Sequence, residues 1–514
     1  MNESAVRPGG TAATTLPPSP SGPRSKGPRH WVDLVTEYVY RLASSTLATP
    51  RVAVGISLAG IALVMMVGIL SPNFNTLTSN QTDGTVTSIV LPLSGHLFGL
   101  THPWWIAPVI MYLAVVLQCL GLAGLLWANS RGWRPNPRHL FIGACVIVGI
   151  MVNITPVGSS DMASYAAYGH MANRGIDPYA TGPFSGPRSL GPGNAYYQAV
   201  AAPWRTTPSV YGPLGTWVQQ LAAWIGGNDS PTITVYFLML FNGLVFLGVG
   251  YYLLKTADDP IRATLMWVAN PVLIQQLVAG GHLDTYTAAA TVVGVQIARS
   301  GERGSRYLLV GVAVGVACCF KVNAGLVGVG IGFALLMRRE WLNLLWLAAG
   351  GIGTTVLFYS YYGLHSLTQI GAASNLVASP SIWRAIQLST TWAFGLFGHQ
   401  DLGQTLSTDL AAYTWPILMI ALAAFMYKRF SSDQPAVVIV PFVLCFAWVI
   451  VAPWNLPWYS AVAWVILALV PRNPMTRWLT LVTAFLALSH GSGGGPISLS
   501  GGGSAAVSSV GPAG

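Results

Sequence analysis

A carboxylate and two tyrosines are spaced at helical intervals directly after an apolar segment. In the run Gly-Ser-Ser-Asp161-Met-Ala-Ser-Tyr165-Ala-Ala-Tyr168, the tyrosines follow the aspartate by four and seven residues. On an α-helix these three side chains share one face. A carboxylate beside aromatic rings can accept a proton from a sugar hydroxyl while the rings pack on the sugar, which is a general-base arrangement. Helix capping by Asp161 and an interfacial belt of tyrosines explain the same spacing, so both interpretations stay open.

Basic residues and turn signals follow in the same polar stretch. Arg174 precedes Gly-Ile-Asp-Pro-Tyr, and Arg205 comes shortly before Tyr211-Gly-Pro-Leu, which marks the start of another apolar helical segment. Asp-Pro and Gly-Pro are primarily turn signals. Guanidinium groups bind phosphate oxygens in bidentate fashion, so Arg174 and Arg205 are candidate phosphate ligands, although either arginine also fits a structural role.

Three further clusters carry polar or aromatic side chains. Gly-Gly-His282-Leu-Asp284 can position a substrate; two ligands are too few to specify a metal site. Lys321 is a lone cation in an apolar stretch, where an ionisable residue is a functional candidate or a snorkelling side chain. Pro-Trp-Asn-Leu-Pro-Trp458-Tyr459 is the last cluster and fits either a binding site or an aromatic anchor.

The composition indicates that these clusters belong to a membrane protein. Of the 514 residues, 8% are charged and 53% are hydrophobic, against roughly 25% charged in average soluble domains. A bilayer core takes roughly 20 apolar residues as a helix, and uncharged runs approaching that length recur about thirteen times between residues 52 and 489. The sequence therefore predicts an all-α polytopic membrane protein. The net charge of +10 does not indicate nucleic acid, because basic residues concentrate in cytoplasmic loops of such proteins.

Orientation follows if the basic N-terminal segment stays in the cytoplasm and the spans alternate. Most other basic residues then fall on the cytoplasmic side as well, as the positive-inside rule requires. The exceptions, which lie outside or near the outer ends of helices, are Arg174, Arg188, Arg205, Lys321 and Arg384. This orientation places all the candidate clusters at the outer, periplasmic face of a multi-pass plasma-membrane protein.

The chain divides into a tail, a membrane domain and a second tail. Residues 1–50 form a cytoplasmic N-terminal tail that is mostly disordered, because it is rich in Pro, Ser, Gly and Thr. Residues 51–490 form the transmembrane domain, with long outer loops over 158–231 and 363–412. Residues 491–514 are a Gly/Ser-rich tail. The helix predicted near 214–226 belongs to the first outer loop, although a membrane-spanning assignment stays open.

The order of these motifs resembles the polytopic GT-C glycosyltransferases. Shared features are an acidic residue after an early span, Tyr-Gly-Pro-Leu, Asn-Pro before Gly-His-Leu-Asp, a lysine-bearing helix and a late Pro-Trp-Tyr. Asp161-Met-Ala-Ser-Tyr-Ala-Ala-Tyr-Gly-His with Gly-Ile-Asp-Pro-Tyr looks more specifically like the α-(1→6)-mannopyranosyltransferases of mycobacterial and corynebacterial lipomannan and lipoarabinomannan synthesis. The similarity covers most of the chain between its two tails.

This resemblance implies a GT-C architecture and an inverting single displacement with Asp161 as the catalytic base. The implied donor is polyprenyl-phosphate-mannose, and the implied acceptor is a mannan on a phosphatidylinositol mannoside anchor in the membrane. Lys321, Arg174 and Arg205 are candidates for neutralising the leaving phosphate, and His282 and Asp284 for positioning a substrate. The aromatic residues expected to bind substrate are Tyr165, Tyr168, Tyr211, Trp458 and Tyr459. No cofactor is expected, and dependence on a divalent metal stays open.

Other function classes fit parts of the pattern. A related GT-C arabinosyltransferase, or a transferase for another polyprenyl-phosphate sugar, shares the same motifs. A lipid or sugar transporter also has many spans, but transporters place polar groups near the bilayer midplane, often in repeated halves. Here the outer carboxylates lie in loops or at helix ends, and no repeat is evident. A non-catalytic scaffold of envelope synthesis has no need of the Asp161 cluster.

Overall fold

The structure is a computed structural model that describes residues 49–70, 106–183, 190–201, 204–227, 230–301, 304–368, 376–378, 381–429 and 434–490. The predictions for the N-terminal tail up to residue 48, for Arg188 and for the C-terminal tail lie outside the described residues. All regular secondary structure within the described residues is helical, which confirms the predicted fold class.

The first half of the chain contains nine α-helices and a π-helix within the described residues. They are α1 (Pro50–Leu70), α2 (Ile106–Ser130), α3 (Pro137–Met151), α4 (Asp161–Asn173), α5 (Ala195–Ala199), α6 (Pro213–Ile225), α7 (Pro231–Thr256), α8 (Pro260–Met266), α9 (Pro271–Leu273) and a π-helix (Ile274–Ala279).

The second half continues with α10 (Asp284–Arg299), α11 (Arg306–Cys318), α12 (Gly325–Met337), α13 (Trp341–Tyr362), α14 (Ile382–Gly395), α15 (Gln400–Tyr427), α16 (Ala436–Val451), α17 (Ala461–Ala468) and α18 (Met475–His490). Short 3-10 helices lie at Val322–Ala324, Leu364–Leu367 and Pro457–Ser460.

Several helices begin at a polar residue followed by proline. The Asn136 side chain accepts a hydrogen bond from the backbone N–H of Arg138 at the start of α3. Ser230 and Asp259 cap α7 and α8 in the same way. Proline fits the first helical position because its missing N–H has no helical partner there and its φ is already helical. These pairs therefore fix where apolar runs become helices.

Five described helices are long and apolar enough to cross a membrane, namely α1, α2, α7, α13 and α15. Other apolar helices are shorter, such as α3, α11 and α16 with 15, 13 and 16 residues. The protein is thus an all-helical polytopic membrane protein, whereas the number of about thirteen spans is not confirmed.

The segment 263–279, one of the uncharged runs that the sequence predicts as spans, is broken. It contains α8, α9 and the π-helix in succession. The Asn270 side chain accepts hydrogen bonds from the backbone N–H groups of Val272 and Leu273, which starts a new helix. Pro271 has no N–H to donate to the preceding turn, which weakens the helix at this point. The break, followed by a π-helix, brings the chain to His282 at a helix boundary.

Small residues allow close packing between the apolar helices. Gly311 of α11 lies against the backbone of α13 at Leu347, and Gly350 of α13 lies against the backbone of α11 at Leu308. Because lipid tails are as apolar as side chains, helices in membranes associate through such close van der Waals contact. The outer surface of α13 is largely exposed and apolar, as expected for contact with lipid.

Loops that were predicted to share the cytoplasmic side lie together at one end of the bundle. Arg472 donates to the backbone carbonyls of Ser130 and Asn129 at 2.8 and 2.9 Å. Arg134 forms an ion pair with Asp259 at 2.8 Å. Since α3 and α18 both run away from this end, their far ends carry the chain to the candidate site.

Candidate active site

Asp161 is the first residue of α4, and its side chain is not occupied in capping that helix. The N-cap is Ser160, and the Ser159 hydroxyl accepts a hydrogen bond from the Asp161 backbone N–H at 3.1 Å. The carboxylate instead has Oδ2 3.2 Å from His282 Nδ1 and accepts a hydrogen bond from Tyr165 Oη at 3.3 Å. The capping interpretation therefore does not describe this carboxylate.

The broken segment before His282 places the imidazole beside α4. Gly281 has φ of +69°, and a side chain at this position would collide with Met162 of α4. Glycine adopts this backbone region without the steric cost that a Cβ brings. The His282 ring then stacks on Trp458, with ring centroids 3.5 Å apart and planes 12° apart. Three distant segments thereby fix the position of one imidazole.

Asp284 and Lys321 form the second charged pair of the site. Lys321 Nζ donates to Asp284 Oδ2 at 2.6 Å, and the side chains are 11% and 3% exposed. Lys321 also lies over two aromatic rings, 4.5 Å from the centroid of Tyr459 and 5.7 Å from that of Tyr211. A buried ammonium with a carboxylate partner and aromatic faces is a fixed positive centre.

The Tyr-Gly-Pro-Leu motif lies beside this pair because of a close backbone approach. The backbone N–H of Gly212 donates to the Phe320 carbonyl at 3.0 Å, and a side chain at Gly212 would collide with the backbone of Cys319. Tyr211 is thereby held next to Lys321, and its ring meets the edge of Tyr165 at 4.8 Å between centroids. The two charged pairs are joined by this tyrosine contact.

Most of the residues predicted for the site meet in this cluster. The structure brings together Asp161, Tyr165, Tyr211, His282, Asp284, Lys321, Trp458 and Tyr459. Tyr165 is fully buried, so it acts on Asp161 through its hydroxyl and offers no open ring face.

Three predicted residues lie apart from the cluster's contacts. Tyr168 is buried and donates through its hydroxyl to the Thr207 carbonyl at 2.8 Å, so it holds the loop at Thr207 against α4. Arg205 donates to the carbonyls of Val200 and Gln198, which fixes its guanidinium within its own loop. Arg174 is exposed after the end of α4 and has no described contact with the charged pairs.

Sequence reasoning missed His490 at the end of α18. Its ring stands perpendicular to Trp458 with centroids 5.0 Å apart, on a ring that also stacks with His282. The signal was present in the sequence, because His490 is the one ionisable side chain at the end of the last apolar run. Nothing local indicated that it lies next to a histidine more than 200 positions earlier.

The surroundings of Asp161 favour its ionised form. Burial on its own would raise the pKa of this carboxyl, but the contact with His282 and the charge of Lys321 outweigh it, and the pKa is lowered. The Asp161 side chain is 28% exposed, whereas the His282 side chain is 1% exposed. The carboxylate is thus the member of the pair that a ligand can reach. Within the described residues no three His, Cys, Asp or Glu side chains group as metal ligands.

The family described as "Alpha-(1->6)-mannopyranosyltransferase, N-terminal domain" matches residues 82–338, a range that contains Asp161, His282, Asp284 and Lys321. No solved structure matches the chain.

Curated relatives come from mycobacteria and corynebacteria. An alpha-(1->6)-mannopyranosyltransferase of Mycobacterium tuberculosis is 28% identical over 298 residues, covering 52% of this chain and 49% of the relative. Alpha-(1->6)-mannopyranosyltransferase A of the same organism is 24% identical over 57% of this chain and 54% of the relative. Its namesake in Corynebacterium glutamicum is 28% identical over 32% of this chain and 33% of the relative. The chain thus spans at most about half the length of these relatives. The extent of the family match shows that this chain belongs to the alpha-(1->6)-mannopyranosyltransferase family.

Proposed function

We propose that this protein is a glycosyltransferase that moves mannose from polyprenyl-phosphate-mannose to a lipid-anchored mannan, forming α-(1→6) linkages of the lipomannan and lipoarabinomannan backbone. The observation that carries the proposal is the partly exposed Asp161 carboxylate, held between His282 and Tyr165 beside a buried lysine. Membership of a family named for α-(1→6)-mannosyl transfer supports the sugar and the linkage.

Asp161 acts as the general base in this proposal. It accepts the proton of the acceptor C6 hydroxyl while that oxygen bonds to the anomeric carbon of mannose, and the bond from that carbon to the phosphate oxygen breaks. One displacement inverts the β-linked donor into an α-mannoside. A positioned general base contributes typically 10²–10⁴-fold to such a step. Its lowered pKa keeps the proton-accepting form populated at neutral pH.

Lys321 stabilises the leaving phosphate. A polyprenyl phosphate leaves with its negative charge, so it needs a fixed cation more than it needs an acid. The charge of Lys321 acts on the Asp161 carboxyl, and Asp284 fixes the position of this lysine. A preorganised charge of this kind stabilises the transition state without reorganisation during the reaction. Arg174 and Arg205 are left as candidates for contacts with phosphate outside the cluster.

Tyr459 completes the substrate surface, and Trp458 supports the site by fixing His282. Trp458 is 3% exposed and fixes His282, whereas Tyr459 is half-buried and packs over Lys321. Tyrosine rings beside a cation suit a sugar phosphate, because the ring face packs on the sugar and the cation meets the phosphate. The site lies at the end of the bundle opposite the loops rich in arginine, which supports an outer, periplasmic location.

The donor class is tested by supplying alternative donors to the protein in nanodiscs with a short α-(1→6)-mannoside. We expect labelled mannose to be transferred from polyprenyl-phosphate-mannose and not from a nucleotide-activated mannose. An α-mannosidase should release the labelled mannose from the product, because inversion of the β-linked donor gives an α-linkage. Persistence of transfer in EDTA is expected if no divalent metal is essential. Transfer from a polyprenyl-phosphate-arabinose alone, or from neither lipid donor, contradicts the proposal.

Replacing His282 with Gln should shift the acid limb of the pH profile of kcat/KM to higher pH. His282 lowers the pKa of Asp161 in the wild type, so its removal raises the pH below which the base becomes protonated. We also expect kcat to fall by about 10- to 100-fold because Asp161 loses its fixed position. The matched control is the exposed His139→Gln at the opposite end of the bundle. An unchanged acid limb in His282→Gln would show that the imidazole does not govern this carboxyl.

A further inference from the structure

A cavity of about 590 Å³ lies at the same end of the bundle as Asp161 but is lined by other residues. Small-molecule sites usually have volumes of about 300–1,000 Å³, and this cavity falls in that range. Its walls come from the start of α14 and from the last turns of α16 and α18. The lining residues are Ser381, Ile382, Arg384, Ala385, Leu388, Val449, Ile450, Asn455, Val482, Phe485 and Leu486.

The walls of the cavity are apolar and open towards lipid. Ile382 and Leu388 of α14 and Phe485 of α18 are 66%, 55% and 56% exposed. In a membrane protein, apolar side chains with this exposure face acyl chains. A hydrocarbon chain can therefore enter the cavity sideways from the bilayer without crossing water.

Two polar side chains in the cavity each lack a partner within the described residues, Arg384 an ion-pair partner and Asn455 a hydrogen-bond partner. Arg384 is half-buried; its Nη1 donates to Gln387 at 2.5 Å, and no described carboxylate forms an ion pair with it. Asn455 is 3% exposed, and its Oδ1 has no hydrogen-bond partner among the described residues. A buried acceptor without a partner costs about 1–3 kcal/mol, so a hydroxyl donor is the complement it lacks. The guanidinium complements a phosphate.

The cavity is separated from the Asp161 cluster by a single stretch of chain. Asn455 lines the cavity, and Trp458, three residues later, stacks on His282. Three residues span at most about 11 Å. The start of α14 and the chain before it are held on the residues that precede Asn455. Trp383 Nε1 donates to the Val451 carbonyl at 2.6 Å, and the Ala378 backbone N–H donates to the Pro453 carbonyl at 2.9 Å.

These observations combine into one ligand chemistry: acyl chains, an anionic phosphate and sugar hydroxyls. We infer that the cavity binds the lipid anchor of the acceptor, a glycosylated phospholipid, with its phosphodiester on Arg384 and a hydroxyl donating to Asn455. The inference rests on the proposed transferase function. The donor phosphate must lie beside the anomeric carbon, and thus near Lys321 and Asp161. Lys321 contacts Asp284 and two tyrosines, whereas Arg384 lines the cavity and contacts Gln387, so we assign Arg384 to the second lipid-linked substrate.

This assignment makes the enzyme specific for short acceptors. The cavity and the Asp161 cluster are separated by about three residues of chain. With the anchor in the cavity, only the sugars nearest to the phosphodiester can therefore reach Asp161. The protein then adds mannose close to the anchor and does not extend distal ends of a long mannan.

The test compares Arg384→Gln with the wild type and with the exposed control Arg138→Gln at the other end of the bundle. We expect Arg384→Gln to raise KM for phosphatidylinositol dimannoside by about tenfold or more, the scale of one lost charge-assisted hydrogen bond. KM for a lipid-free α-(1→6)-mannoside and KM for the polyprenyl donor should stay within about twofold, since neither needs this arginine. A second variant, Asn455→Ala, should change the same KM in the same direction.

Direct binding separates this inference from the proposed function. Binding of fluorescent phosphatidylinositol dimannoside to each variant in nanodiscs is measured without turnover, with phosphatidylglycerol and a polyprenyl phosphate as competitors. Weaker binding to Arg384→Gln supports the cavity even if the wild type transfers no mannose. Three outcomes overturn the inference: unchanged binding in both cavity variants, equal competition by phosphatidylglycerol, or a raised KM for the polyprenyl donor, which would make the cavity a donor site.

Discussion

Asp161→Asn should reduce kcat for mannosyl transfer by about 10²–10⁴-fold, the contribution of a positioned general base. Asparagine preserves the shape of the side chain and its contacts with His282 and Tyr165, but it cannot accept the proton. Donor and acceptor binding should therefore change little, and the loss should appear in kcat and not in KM. The measurement is steady-state transfer from polyprenyl-phosphate-mannose to a short mannoside, with expression and thermal unfolding monitored in parallel.

The matched control for this experiment is Asp401→Asn. Asp401 is exposed in the first turn of α15 and has no described contact with the cluster, so its variant should retain wild-type transfer. If Asp161→Asn keeps more than about a tenth of the wild-type kcat, the loss is smaller than a general base accounts for. The base would then have to be sought elsewhere at this end of the bundle.

Lys321→Met should cause two losses that can be separated. Removing the ammonium leaves Asp284 buried without its partner, and breaking a buried ion pair in this way costs about 3–5 kcal/mol of stability. It also removes the cation for the leaving phosphate, which should lower kcat by about 10²–10³-fold. Thermal unfolding in detergent measures the first effect, and mannosyl transfer measures the second.

The double variant Lys321→Met with Asp284→Asn distinguishes a structural lysine from a functional one. With both charges removed, no unpaired ion is left in the interior, so most of the lost stability should return. Transfer should stay low because the cation is still missing. Recovery of both stability and transfer in the double variant would mean that Lys321 only neutralises Asp284. The exposed Lys255→Met, at the other end of the bundle, is the control for the loss of a lysine as such.

Local spacing predicted part of the site correctly. Asp161 and Tyr165 are separated by one helical turn, and the structure joins them through a hydrogen bond at 3.3 Å. The same logic placed Tyr168 on that face, where it lies close behind the site, but its hydroxyl is occupied by the Thr207 carbonyl. Periodicity fixes the face of a helix on which a side chain lies. It does not fix which neighbouring loop that side chain meets.

The arginines show the same limit. Their residue type indicated phosphate binding, yet the guanidinium of Arg205 is fixed by two carbonyls of its own loop. For Arg384 the sequence predicted only a position on the outer side of the membrane. The structure shows that it lines a cavity and has no described carboxylate partner. Charge and residue type give the chemistry that a side chain can perform. Which partner it finds depends on how the loops fold back on the helices.

By itself, the sequence determined that the chain is helical and crosses a membrane, that its polar chemistry lies at helix ends, and that Asp161 and Tyr165 share a face. These properties depend on composition and on neighbours within a turn or two. Tertiary structure alone decided that Lys321 pairs with Asp284 and that His282 and His490 meet on Trp458. The physical reason is that these contacts join segments tens to hundreds of residues apart. Their geometry is set by the packing of apolar helices, which no local pattern encodes.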